Sequence, residues 1–141
     1  MNQILEFIGN HPYLFMALGV TAGMIAYTEY MRLFSGAKML TPLQATQLMN
    51  EGEALFLDVR DDAEFKRGHL LDATHIPVNS LDKRMHELER HKDKPVIVYC
   101  DSGARAQRAA AKLKKNGFEK LNSLAGGVTA WEKASLPLVT R

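Results

Sequence analysis

The sequence is poor in the residues that most often staple or ligate a small protein. It has a single cysteine, Cys100, in 141 residues. An intramolecular disulfide is therefore impossible, and so is any zinc site built on several cysteines. Charge of one sign is scarce as well: 18 Lys and Arg against 16 Asp and Glu leave a formal net charge of +2. No basic cluster is interleaved with aromatic residues, so nucleic acid is not an expected partner. Internal repeats and low-complexity tracts are absent, and no Lys or Arg precedes Arg32.

What is present suffices for one packed domain. Hydrophobic residues make up 46% and charged residues 24% of the chain, which argues for a globular core over disorder. The length allows one domain of ordinary size plus a short extra element.

That extra element is N-terminal. Tyr13 to Tyr27 read YLFMALGVTAGMIAY without a charge, and the apolar pattern resumes at Met31, Leu33 and Phe34 after Glu29 and Tyr30. A membrane span needs roughly 20 apolar residues, and Pro12 to Phe34 is long enough. Glu29 and Arg32 would lie in the headgroup region, with Arg32 snorkelling outward, and Tyr13, Tyr27 and Tyr30 fit an interfacial belt. A cleaved signal peptide wants a basic start and a small-residue cleavage site, and neither is found. A buried core helix is the other alternative, but the downstream domain is complete without it. The expectation is a membrane anchor and linker over residues 1–36 and one domain over 37–141. Arg32 and Lys38 follow the span and no Lys or Arg precedes it, which places that domain in the cytoplasm, where a free thiol stays reduced.

Beyond the linker Ser35-Gly36-Ala37-Lys38, helices and strands alternate. Thr41-Pro42 is a helix start and Gly52 its stop. Ala54 to Val59 is a buried strand, and Asp62 to Phe65 a helical turn. Thr74 to Pro77 is a short strand. Ser80 caps a charged helix running to about Arg90. Pro95 to Tyr99 is a β-branched buried strand. Ala104 to Lys115 is a helix ended by Asn116-Gly117; Leu121 to Leu124 is a strand, and Gly127 to Ala134 a last helix. This order predicts an α/β domain with a mostly parallel sheet between helical layers.

Cys100 falls where such a sheet keeps its chemistry, at the carboxyl end of a strand. The strand Val96 to Tyr99 runs into Cys100-Asp101-Ser102-Gly103-Ala104-Arg105 and then into a helix. A turning loop leaves its amides unpaired within the sheet, and Gly103 allows a tight turn that aims them inward. The helix N-terminus adds partial positive charge and Arg105 a full one. Such a setting stabilises a thiolate and cradles an anion above it.

The pattern Cys-x-x-Gly-x-Arg after a β-branched strand resembles the active-site loop of the rhodanese family. Leu57-Asp58-Val59-Arg60, Glu64-Phe65, Gly68-His69, Ala73 and His75-Ile76-Pro77 are similar to the family's first signature. Ala109-Ala110, Leu113, Gly117-Phe118, Leu124, Gly126-Gly127 and Trp131 are similar to its tail. The match runs over roughly residues 38 to 138. The resemblance implies a three-layer rhodanese-like fold and a sulfurtransferase. Cys100 would take a sulfane sulfur from thiosulfate or a persulfide and pass it to cyanide or a thiol, with no metal or other cofactor. Asp101, Ser102, Gly103, Ala104 and Arg105 would contact the sulfur and its carrier. Arg60 is carried over as substrate-binding at the rim, with Glu64 beside it, against the plainer alternative of a structural ion pair with Asp58. Related phosphatases need Cys-x5-Arg, and the residue at that position here is Ala106. Two departures bear on the donor. Ala106 replaces a common Ser or Thr, and Asp101 puts a negative charge in the anion loop, which is harmless if it points outward and would oppose thiosulfate and favour persulfide donors if it points inward. A rhodanese fold used only as a membrane-tethered binding module is the alternative from another class. His69 reads as structural, Trp131 as core, and His86, His91 and Arg108 as solvated surface.

Overall fold

The structure, a computed structural model, describes residues 1–34 and 36–140. Ser35, the first residue of the expected linker, and the side chain of Arg32, expected to snorkel, lie outside the described residues. The chain divides into two compact units, Met1–Phe34 and Ser35–Arg141.

The first unit holds α1 (Asn2–Asn10) and α2 (Pro12–Phe34), broken at His11. Within α2, the 20 residues Pro12–Met31 are long and apolar enough to cross a membrane, and none of that stretch is buried in the protein. Helix α1 has no counterpart in the sequence-based expectation.

The second unit is built on a five-stranded sheet in the order β1-β5-β4-β2-β3: β1 (Lys38–Leu40), β2 (Leu55–Asp58), β3 (Thr74–His75), β4 (Val96–Tyr99) and β5 (Leu121–Leu124). All four strand pairings are parallel, with Leu57 opposite Val98 and Val98 opposite Ser123. Parallel strands are covered on both faces, so they read as continuous apolar runs. All four residues of β4, Val-Ile-Val-Tyr, are buried accordingly. Alternation sorts their side chains. Val96, Val98 and Cys100 join Leu55, Leu57 and Val59 in a cluster with Ala106, Ala109 and Leu113 of α6 (Ala104–Lys115). On the opposite face, Phe56, Ile97, Tyr99 and Leu124 meet Ala45 of α3 (Pro42–Glu51) and Val128 and Trp131 of α7 (Gly127–Lys133). Trp131 is 2% exposed, a core residue as expected, and its Nε1–H donates to Pro137 O.

Local signals set several boundaries. Thr41 closes a capping box with Gln44, each side chain engaging the other's backbone. Gly52 ends α3 in the left-handed region that a glycine adopts without strain. Three expectations are corrected. Lys38 is not linker but the start of β1, an edge strand in which only Leu40 is buried, too short to show a period. The helical turn at Asp62 extends to Arg67 as α4 (Asp62–Arg67). The single helix from Ser80 to Arg90 is instead a 3-10 turn, one turn of α-helix α5 (Leu81–Arg84) and a second 3-10 segment, Met85–His91. Ser80 makes no side-chain cap bond. Met85 and Leu88 are buried three apart, the spacing at which a 3-10 helix aligns side chains on one line, so packing decides its form.

Leu57 is wholly buried on β2, an inner strand of the sheet. Leu57→Ala is expected to lower stability by about 2–5 kcal/mol, against about 1 kcal/mol for removal of the cap in Thr41→Ala. Denaturant titration of the full chain in detergent, followed at the sole tryptophan, checks the ranking.

Candidate active site

The carboxyl ends of β2, β4 and β5 lie side by side, and three loops leave from them. The loop after β4 begins with Cys100, a free thiol 1% exposed, whose side chain sits on the α6 face of the sheet. The backbone N–H of Gly103 donates to its sulfur at 3.0 Å. Gly103 has φ 121 and starts α6. Open space surrounds the place where its Cβ would stand, so the backbone angle alone calls for glycine.

The loop after β5 holds the β4 loop in shape. Val128 N–H donates to Cys100 O at 2.9 Å and Thr129 N–H to Asp101 O at 3.2 Å. The two chains come so close because Gly127 lacks a side chain. Its φ is 58, and a Cβ there would collide with Cys100 O and stand 2.6 Å from Asp101 O. A trans peptide points its N–H opposite to its C=O. Anchoring the two carbonyls on α7 therefore turns the amides of Asp101 and Ser102 to the other side of the loop. The sequence comparison included Gly126-Gly127 only as part of a tail. The signal available was the glycine pair itself, at a point where a strand passes into a helix.

Arg105, in the first turn of α6, does not stand free over the sulfur. Its guanidinium grips Glu64 through two bonds, 2.6 and 2.9 Å, with Asp61 at 3.8 Å. Glu64 is itself held by the amide of Asp61 in the capping box of α4. The Arg105 hydrogen bond brings the Glu64 carboxyl down to about 2, so the pair is charged on both sides near neutrality. The full positive charge expected for the loop is thus shared with a carboxylate, and the pair fastens the β4 loop to α4.

Arg60 forms the structural ion pair. It is 3% exposed, Asp58 is fully buried, and the guanidinium reaches Asp58 at 2.7 Å and Gly68 O at 2.7 Å. Burial works against the charge of Arg60, but the hydrogen bond and charge of Asp58 outweigh it and its proton is held more firmly than usual. The Tyr99 hydroxyl accepts from Leu70 N–H at 3.1 Å, and burial pushes its acidity well below that of a free phenol. Arg60 and Tyr99 together pin the turn at Gly68–Leu70. His69 Nδ1–H donates to Phe65 O at 3.0 Å and the ring stacks on the Phe65 ring at 3.8 Å; His75 stacks on Phe65 at 4.3 Å.

A cavity of about 240 Å³ opens beside the loop, bordered by Arg60, Glu64, Arg67, Asp101 and Glu132. Asp101, Ser102 and Ala104 are exposed, while Gly103 is buried. Asp101 therefore reaches solvent at the rim of this cavity. Ala106 is fully buried in the same apolar cluster as Cys100, so the position that lacks a hydroxyl is a core position beneath the loop. Among the described residues, no group of three His, Cys, Asp or Glu is placed to hold a metal ion.

Comparison with known proteins agrees with this fold. The family model described as rhodanese-like domain matches residues 41–134. The chain is 36% identical over 140 residues to "Uncharacterized protein YibN" of Escherichia coli strain K12, covering 99% of this chain and 98% of that protein. It is 37% identical over 93 residues to a protein of Allochromatium vinosum named "Sulfurtransferase", covering 66% and 85%. Among solved structures, a rhodanese-related protein from Thermoplasma volcanium superposes with TM-score 0.66 at 25% identity, covering 74% of this chain and 99% of that one. A thiosulfate sulfurtransferase from Pseudomonas aeruginosa gives TM-score 0.69 at 23% identity over 81% of this chain and 22% of that one, a likeness of fold.

The Glu64–Arg105 pair sets a pH dependence. The folded carboxyl titrates near 2, below its ordinary value of 4.5. Its contribution is complete above that ordinary value and is lost as pH falls toward 2. The stability gap between the parent and Glu64→Gln is therefore expected to close on acidification through that window, read by denaturation at a series of pH values.

Proposed function

The chain belongs to the rhodanese-like domain family, and from that premise we propose that it is a sulfurtransferase working through a Cys100 persulfide. The observation that carries this reading is the Gly103 N–H on the Cys100 sulfur at 3.0 Å, inside a loop whose neighbouring amides are turned away from α7. Hydrogen bonds to sulfur favour its anionic form, the nucleophile.

In the first half-reaction the Cys100 thiolate attacks the outer sulfur of the donor. A new S–S bond forms and the donor's own bond to that sulfur breaks. The leaving group, sulfite from thiosulfate or a thiolate from a persulfide, departs with the electron pair. In the second, cyanide or a thiolate attacks the outer sulfur of the Cys100 persulfide and the Cys100 thiolate leaves. No net electrons are gained or lost. The amides of Asp101, Ser102, Gly103, Ala104 and Arg105 would hold the terminal sulfur, which carries the charge in the intermediate. Arg105 acts through its tie to Glu64, keeping the loop closed. Arg60 supports the rim from its pair with Asp58. Asp101 is exposed at the cavity rim, the outward placement in which its charge leaves thiosulfate usable as a donor alongside persulfides.

The same proposal places α2 in a membrane with residues 37–141 in the cytoplasm. It is supported by the unburied apolar stretch Pro12–Met31 and by the basic residues Arg32 and Lys38 that follow it.

Incubated with thiosulfate or a cysteine persulfide, the protein is expected to gain the mass of one sulfur, and Cys100→Ser to gain none. Gly127→Ala, which forces the carbonyls of Cys100 and Asp101 off α7, is expected to cut the loading rate by about tenfold or more. Absence of an adduct from every donor overturns the enzyme and leaves a binding module.

Protease added to sealed right-side-out membrane vesicles is expected to leave residues 37–141 intact and to digest them once the vesicles are opened. Digestion in the sealed vesicles overturns the orientation.

A further inference from the structure

Helix α1 is nine residues long and none of them is buried. Isolated helices of this length are marginal in water, and this one also exposes large apolar side chains: Ile4 and Leu5 are each 65% exposed and Phe7 54%. Its residues are sharply divided. At the helical period, Ile4, Leu5, Phe7 and Ile8 fall on one side, and Gln3, Glu6 and Asn10 on the other. Such a helix needs an apolar surface along one flank and water along the other.

The adjoining geometry says which surface. Helix α1 ends at His11, where the backbone leaves the helical region, and α2 begins at the next residue. The Phe7 ring packs edge-on against Phe15 of α2 at 6.2 Å, and the Tyr13 hydroxyl meets His11 Nδ1 at 3.4 Å. The apolar side of α1 is thereby joined to the N-terminal end of the stretch Pro12–Met31. Tyr13 stands at that end and Tyr27 and Tyr30 toward the other, about 21–26 Å apart at 1.5 Å rise per residue, close to the thickness of a bilayer's hydrocarbon core. Tyrosine favours the level where hydrocarbon meets headgroups, and α1 departs at the level of Tyr13.

We propose that α1 is an interfacial helix, lying with Ile4, Leu5, Phe7 and Ile8 in the lipid surface at the N-terminal end of α2. This rests on the reading of α2 as a membrane span. Interfacial helices usually carry Lys and Arg for anionic lipid, but α1 has only Glu6 as a charged side chain. Its attachment is therefore apolar and indifferent to lipid charge.

The chain's only cysteine is Cys100, so single labels can be placed in a full-length Cys100→Ser protein. Ile8→Cys, Glu6→Cys and Val20→Cys, each bearing a fluorophore, are reconstituted in phosphatidylcholine vesicles containing spin-labelled lipid. The Ile8 label is expected to be quenched strongly by spin labels at shallow depth, the Glu6 label several-fold less, and the Val20 label by deep ones. Adding phosphatidylglycerol is expected to change none of this. Equal quenching at Ile8 and Glu6, or none at either, with Val20 still quenched, overturns the interfacial helix while sparing the span. An Ile8 label hidden from aqueous quencher but untouched by spin-labelled lipid means that protein covers the face, which also overturns it. A Val20 label untouched by lipid overturns the span itself and α1 with it.

Discussion

The site depends on a close approach of two backbones. Gly127 lets the start of α7 come against the loop that follows β4, so that Val128 and Thr129 can take the carbonyls of Cys100 and Asp101. Without that anchorage the loop's peptide groups would be free to rotate, and no fixed set of amides would face the sulfur. Preorganised donors are effective because they need no reorientation when charge arrives. The parallel sheet makes the approach possible, since it delivers the ends of β4 and β5 to the same edge one strand apart.

Two ion pairs then fix what surrounds the loop. Arg105 with Glu64 ties it to α4, and Arg60 with Asp58 ties the end of β2 to the turn at Gly68. Both arginines were natural candidates for meeting an anionic substrate. Their partners change that role, because a guanidinium already holding a carboxylate in two bonds offers little uncompensated charge to a ligand. Under the proposed sulfur transfer, the backbone amides rather than the arginines would meet the charge on the terminal sulfur.

The N-terminal unit has a different surface. Its helices expose the apolar side chains that the domain hides, and the tyrosines of α2 lie near its ends. Under the proposed reading, an anchor would restrict a sulfurtransferase to donors or acceptors near the membrane surface.

Much of the domain is legible in the sequence. The apolar run Val96–Tyr99, the Thr41-Pro42 start and the left-handed Gly52 are short-range signals, because neighbouring residues alone decide them. Cys100 at a strand end, with Gly103 and Arg105 at their spacings, marked the loop for the same reason. Strand β1 escaped, since its place is decided by pairing with β5 and only Leu40 is buried. The segment from Val78 to His91 escaped because packing of Met85 and Leu88 on the sheet, not propensity, sets its form. Tertiary structure alone decided where the charges go: Glu64 is 41 residues from Arg105 and neutralises it. It alone decided why residue 127 is glycine. Chain order determines which residues and turns exist, but which backbone comes within touching distance of which depends on how the strands are stacked.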